Sequence, residues 1–304
     1  MGLPAAFDRV TLGEGNTPVE PIRLGGRSVM AKLEFESPSG SFKDRGAAVV
    51  LAAALDTGAS DVVVDSSGNA GVAFATYAAH AGLGCEVFVP ASTSLAKVGS
   101  MSERGAVVHA VKGAREAVAA AAIARVEETH AFYASHVWNP WFFEGTKRYV
   151  YELVEQLAGR LPGALVLPAG NGTLVLGAFR AIRELDLDVP IVAVQSELCA
   201  PIASAFAAGR EHVTPVADSG TTAVGIAIAA PPRGDEVLAA VRATGGWFVT
   251  VSDDDLAGAA AELSAQGYIV EPTAAAPAAA LAYLGADVDA AVVPLASGRR
   301  ALRA

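Results

Sequence analysis

"VVVDSSGNAGVAFATYAAHAGL", Val62 to Leu83, reads as a β-branched run, a turn of small polar residues and an alanine-rich helix. Val62, Val63 and Val64 show no polar alternation, the pattern of a strand covered on both faces, as in a parallel sheet. Ser66, Ser67, Gly68 and Asn69 supply the turn, with Ser67 or Asn69 suited to cap the helix that follows. The same rhythm repeats along the chain. Strand candidates are "VMAKLE" from Val29, "DVVVDS" from Asp61, "CEVFVP" from Cys85, "AVVHAV" from Ala106, "AFYASH" from Ala131, "LVLP" from Leu165, "IVAVQS" from Ile191, "WFVTVS" from Trp247 and "AAVVPL" from Ala290. Helix-length segments separate most of them. The expected fold is α/β, with two open, twisted, mainly parallel sheets carrying helices on both faces. The cleft between two such lobes is the default ligand site. "HVTPVADSGTTAV", His212 to Val224, is the expected long loop.

Composition narrows the functions available. A chain of 304 residues with 52% hydrophobic and 18% charged residues is globular. Its net charge of −10, with no cluster of Lys and Arg beyond the pair Arg299 and Arg300, argues against nucleic acid or an anionic membrane as partner. No cationic start leads into an apolar run, and no apolar run is long enough to span a bilayer, so a soluble, cytoplasmic protein is expected. Cys85 and Cys199 are too few for a disulfide framework. The histidines His80, His109, His130, His136 and His212 show no metal-ligand spacing, and no metal is expected.

Chemistry is sought where strands give way to helices, because helix N-termini present backbone N–H groups and a positive dipole end. The Ser66–Asn69 turn reads either as a capped turn or as a carboxylate-binding loop. A second turn, in "LVLPAGNGTLVLGAFRAIREL", places Gly170, Asn171, Gly172 and Thr173 before a helix. Its glycines allow close backbone approach to one small phosphate, and it is neither a G-x-G-x-x-G nor a Walker A loop. In "SGSFKDRGAAVV", Ser41 and Asp44 make an S-x-x-D box, which puts Lys43 in the first turn of a helix. The helix dipole, Arg45 and burial all oppose its ammonium form, and such an amine attacks an aldehyde readily. The alternative is a solvated lysine whose stem covers apolar surface. Lys32, Lys97, Lys112 and Lys147 lack the combination; Lys147 is the nearest rival and reads as helical scaffold. A reactive lysine, a small-phosphate loop and a carboxylate-type loop together suggest pyridoxal 5′-phosphate and an amino-acid substrate.

Six blocks carry a family resemblance: "EGNTP" at Glu14 to Pro18, "SPSGSFKDRGA" at Ser37 to Ala47, "SSGNAG" at Ser66 to Gly71, "EGTK" at Glu144 to Lys147, "GNGTL" at Gly170 to Leu174, and "EPTAAA" at Glu271 to Ala276. In their order and over nearly the whole chain they resemble threonine synthase and its fold-type II pyridoxal-phosphate relatives. The resemblance implies that Lys43 forms the Schiff base with the cofactor and later shuttles protons. It implies that Asn69 contacts the cofactor's phenolic oxygen and that Ser66, Ser67, Gly68 and Ala70 surround the substrate carboxylate. Gly170, Asn171, Gly172, Thr173 and Leu174 would hold the cofactor phosphate. "VVPLASGRRAL" resembles the ending of O-acetylserine sulfhydrylases, so Ser297 would face the pyridine nitrogen; the alternative is a strand-end serine in a turn. A hydroxyl there suits elimination and replacement at the β or γ carbon better than transamination. On the same resemblance, residues 1–45 and 136–304 are expected to form a large cofactor-binding domain, residues 46–135 a smaller inserted α/β domain, and the chain a homodimer.

The substrate is less closely defined. Threonine synthases acting on O-phosphohomoserine are expected to carry a phosphate-gripping arginine just before the "EG(T/Q)K" block. Here "SHVWNPWFFEGTK" has Trp138, Trp141, Phe142 and Phe143 instead, with His136 and Arg148 the nearest candidates to compensate. Three readings stay open: a threonine-synthase-like lyase, a β-eliminating or β-replacing enzyme on serine, threonine or an activated serine, and a non-catalytic cofactor-binding relative.

Overall fold

The computed structural model describes residues 2–113, 115–160, 162–285, 288 and 290–301. Along the chain, β1 (Val19–Leu24) and β2 (Arg27–Lys32) form a hairpin, followed by α1 (Lys43–Asp56), β3 (Asp61–Asp65), α2 (Asn69–Ala81), β4 (Gly84–Pro90), α3 (Leu95–Ser102), β5 (Val107–Val111), α4 (Arg115–Thr129) and β6 (Phe132–Tyr133). Next come α5 (Pro140–Thr146), α6 (Arg148–Gln156), β7 (Leu165–Pro168), α7 (Thr173–Glu184), β8 (Ile191–Ser196), α8 (Pro201–Ala207), α9 (Gly234–Ala243), β9 (Trp247–Val251), α10 (Asp253–Ala265), β10 (Tyr268–Val270), α11 (Pro272–Ala279), β11 (Val292–Pro294) and β12 (Gly298–Arg300). The segment between α8 and α9, which contains His212 to Val224, forms neither helix nor strand.

The chain divides into two compact units, Met1–Glu14 with Ser37–Gly145, and Gly15–Glu36 with Thr146–Ala304. The smaller one starts earlier and ends later than the insertion expected at 46–135. Its extra length includes all of α1, which packs on α2 and shares its apolar cluster.

In the smaller unit a four-stranded sheet runs in the order β5-β4-β3-β6, with every pair parallel. The unalternating valines of β3 are explained by its two covered faces. Val62 and Val64 pack with Ala47, Ala48, Leu51, Phe74 and Tyr77, whereas Val63 packs with Phe88, Val118 and Ala122. Alanines along α1 and α2 keep the helix surfaces low, so the two approach closely and their larger side chains interdigitate.

In the larger unit a six-stranded sheet runs β1-β2-β11-β7-β8-β9, antiparallel only at the first hairpin. The late strand β11 is inserted between β2 and β7, parallel to both. Its neighbour β7 is buried at every position. β10 and β12 form a separate antiparallel ladder. Ile22, Leu24, Val29, Val166, Val194, Leu281 and Val293 belong to one contiguous apolar core. Among the described residues, no helix is long and apolar enough to cross a membrane.

Helix α10 carries Gly258 on its exposed side, with no atom within 4 Å of where a Cβ would stand and no positive φ. Gly258→Ala is therefore expected to stabilise the protein by about 0.5–1 kcal/mol through the smaller entropy of the unfolded chain. A urea titration checks it: the midpoint rises while the slope stays constant.

Candidate active site

Lys43 is the first residue of α1, in the first helical turn as its sequence neighbours suggest. The local reason differs from the expected one. Phe42, not Ser41, is the N-cap, and no side chain caps the helix. Ser41 and Asp44 thus stand one position out of register for a capping box, which needs the N-cap and the third helical residue. Ser41 Oγ is buried without a hydrogen-bond partner, and the Asp44 carboxylate accepts from the Ser39 N–H at 2.6 Å and from the Ser39 hydroxyl. Burial raises Asp44 to about 6. A true box closes at α10, where Ser252 and Asp255 cap each other.

The Lys43 side chain is partly solvent-exposed yet closely surrounded by protein. Its Nζ lies 4.4 Å from the ring centre of Phe42 and 5.7 Å from that of Phe142. Burial first, and the charge of Arg115 second, pull its pKa from 10.5 down to about 7. At neutral pH a substantial fraction of the amine is therefore unprotonated and nucleophilic. His136 is buried, and burial together with the charges of Lys43 and Arg115 holds it well below its ordinary value, so it stays a neutral imidazole.

Phe142 is the aromatic residue of "WNPWFFEGTK" that approaches Lys43. It packs edge-on against His136 and Phe143 and tilted against Phe74. Gly46 makes this possible, since a Cβ there would stand 2.5 Å from the Phe142 ring. Phe142 and Phe143 are fully buried, while Trp138 is exposed. These rings form core and an apolar wall beside the amine; they offer no grip on a phosphate.

The Ser66–Asn69 turn leaves the carboxyl end of β3 and enters α2. Gly68, in an extended conformation, is the N-cap; neither Ser67 nor Asn69 caps the helix. Ser66, Ser67, Gly68 and Asn69 are partly exposed and Ala70 is buried. The helix can start this close to the strand because of Gly71, whose Cβ would lie 2.3 Å from the Ser66 carbonyl oxygen.

In the larger unit, the second turn leaves β7 and enters α7. Gly172 is its N-cap in the left-handed region, φ 72°, and no side chain caps the helix. A Cβ on Gly170 would meet the Gly225 carbonyl oxygen at 2.7 Å, and one on Gly172 would meet Val237 Cγ2 at 2.1 Å. The backbone thus forms a tight cradle at a positive helix end, which fits a phosphate. Gly170, Gly172, Thr173 and Leu174 are buried and Asn171 is partly exposed. Continuing the parallel Val292–Leu165 register five residues along each strand brings Ser297 level with Gly170 at the same carboxyl edge. Ser297 is buried and donates its hydroxyl to Glu271 Oε2 at 2.6 Å, a partner that the motif alone did not reveal.

The rival lysines are engaged elsewhere. Lys147 Nζ pairs with Glu184 at 2.9 Å, and the fully buried Lys32 pairs with Glu152 at 3.0 Å and donates to the Thr17 carbonyl. Cys85 is buried and pushed up to about 12, which leaves it an inert thiol.

A depressed lysine amine, an uncapped glycine cradle and a buried hydroxyl at the carboxyl edge define an α/β enzyme that works through an aldehyde cofactor carrying a phosphate. The chain belongs to the family described as pyridoxal-phosphate dependent enzyme, which it matches over residues 10–298. It is 32% identical to a threonine synthase of Methanosarcina acetivorans over 96% of this chain and 74% of that relative. It is 29% identical to a threonine synthase of Methanocaldococcus jannaschii over 90% of this chain and 71% of that relative. Among solved structures, a threonine deaminase from T.th. superposes with TM-score 0.84 and 28% identity, covering 99% of this chain and 98% of that one. The chain is a pyridoxal-phosphate-dependent enzyme of the lyase type, and the residues present fit that cofactor.

Proposed function

We propose that this enzyme acts as threonine synthases do, by γ-elimination of O-phosphohomoserine followed by addition of water at the β carbon. The observation that carries the reading is the near full-length similarity to threonine synthases, at 32% identity over 96% of the chain. When bound, pyridoxal phosphate supplies an aldehyde that captures the substrate amine and a ring that withdraws electrons from the α carbon. Lys43 Nζ holds the aldehyde carbon in the resting enzyme and, once released, takes and returns the substrate's protons. The rings of Phe42 and Phe142 limit water around that nitrogen. Gly170, Asn171, Gly172, Thr173 and Leu174 hold the phosphate on the uncapped end of α7. Asn69 contacts the phenolic oxygen, while Ser66, Ser67, Gly68 and Ala70 hold the substrate carboxylate. Ser297 meets the ring nitrogen; with its proton given to Glu271, it presents a lone pair.

The second reading, β-elimination from serine or threonine, draws on the threonine deaminase superposition and on Phe142 standing where a phosphate-gripping arginine is expected. Turnover assays separate the two. With O-phosphohomoserine alone, release of inorganic phosphate together with threonine is the expected outcome. An oxo acid formed from serine or threonine, with O-phosphohomoserine inert, would transfer the assignment to the second reading. We further place the enzyme in the cytoplasm as a homodimer, a state that sedimentation equilibrium checks by giving twice the mass of one chain.

A further inference from the structure

The carboxyl edge of the four-stranded sheet holds a recess with no assigned role, lined by Asp65, Ser66, Ser67, Pro90, Arg115 and Val118. Three parallel strands converge on it. Asp65 ends β3 and leads into the Ser66–Ser67 turn, Pro90 ends β4, and Arg115 opens α4 just after β5. Its atom-free space is about 270 Å³, solvent mouth included, which suits one small group and not a nucleotide.

Arg115 is the cation of this recess, exposed at the first position of a fifteen-residue helix, where the dipole adds to its charge. It lies within electrostatic reach of Lys43 and of His136. Two hydroxyls, Ser66 and Ser67, share the same walls. Asp65 is the opposing group; burial raises its pKa, and this weakens its repulsion of an anion relative to an exposed carboxylate.

We propose that Arg115, with Ser66 and Ser67, receives an oxyanion at the far end of the substrate side chain and so sets specificity for a doubly anionic amino acid. The inference rests on the proposed threonine-synthase-like reading and deepens it. The grip expected just before the "EGTK" block, where the chain has Phe142 and Phe143, is supplied by a residue from a different strand-to-helix turn. A guanidinium fork matches either a phosphate or a carboxylate, and the shared chemistry is a planar donor pair facing two anionic oxygens.

Spectral titration of the holoenzyme with O-phosphohomoserine, O-succinylhomoserine and homoserine tests it. At least one anionic compound is expected to bind about 10–100-fold more tightly than homoserine, the strength of a charge-assisted pair. Which compound shows the preference names the oxyanion. The preference collapses in Arg115→Gln and grows in Asp65→Asn, which removes the competing carboxylate without changing its shape. Equal binding of all three compounds, or an undiminished preference in Arg115→Gln, would overturn the proposal. Calorimetric titration with inorganic phosphate gives a readout independent of the cofactor: phosphate binding at least tenfold weaker in Arg115→Gln supports the recess, and equal or undetectable binding in both proteins rejects it. If visible absorbance and turnover are absent while this difference persists, the functional reading fails and the oxyanion recess stands.

Discussion

Replacing Lys43 by alanine is expected to lower turnover by about a thousandfold or more, since both covalent capture and proton transfer depend on one nitrogen. Global folding should survive, because the side chain is partly exposed and the aromatic rings around it pack mainly on one another. Circular dichroism of the variant should match the parent while the lysine-linked visible absorbance is lost. The depressed pKa adds a second signature in the apoprotein. Uptake of pyridoxal phosphate should speed up with pH and level off above about 7, well below the 10.5 of an ordinary lysine. The linked effect on stability has a definite sign. Between about 7 and 10.5 the unfolded chain holds a proton that the folded chain has released, so stability rises with pH across that window. Apo Lys43→Met should therefore be more stable than the parent below pH 7, with an advantage that shrinks toward zero as pH approaches 10.5. Thermal melts across this range check it.

Gly172→Ala should weaken cofactor binding at least tenfold and lower thermal stability. Two causes act together. The backbone at φ 72° disfavours any side chain by about 1–2 kcal/mol, and the new methyl carbon would stand 2.1 Å from Val237 Cγ2. Relief of either cause alone is incomplete. The double variant Gly172→Ala with Val237→Ala removes the clash but keeps the strained dihedral, so it should recover part of the phosphate affinity and not all of it. Fluorescence titration of the apoproteins with pyridoxal phosphate measures the three affinities. Unchanged affinity in Gly172→Ala would remove the turn from the phosphate site.

Much of the architecture was legible because parallel strands buried on both faces appear as runs such as Val62–Val64 and Leu165–Leu167, and each is followed by a glycine-bearing turn. What escaped notice is short, polar or long-range. β1 alternates buried and exposed positions and contains Pro21, so its composition looks like a loop. β10 and β12 have three residues each and exist only because they pair with one another. The box at Ser41 failed because a one-residue shift in helix onset, invisible in composition, moves both partners off their positions. Glu271 was visible as part of "EPTAAA", but its bond to Ser297 depends on the return of β11 and β12 toward β10. Arg115 could not be singled out from spacing. Only the parallel order β5-β4-β3 brings the turn after β5 beside the turn after β3, fifty residues earlier in the chain by the distance from Asp65 to Arg115.

Borohydride reduction of the holoenzyme, followed by peptide mapping, tests the covalent assignment most directly. The expected product is a single phosphopyridoxyl adduct on the peptide that contains Lys43. An adduct on Lys147, Lys32 or any other lysine, or none after reconstitution with the cofactor, would contradict it.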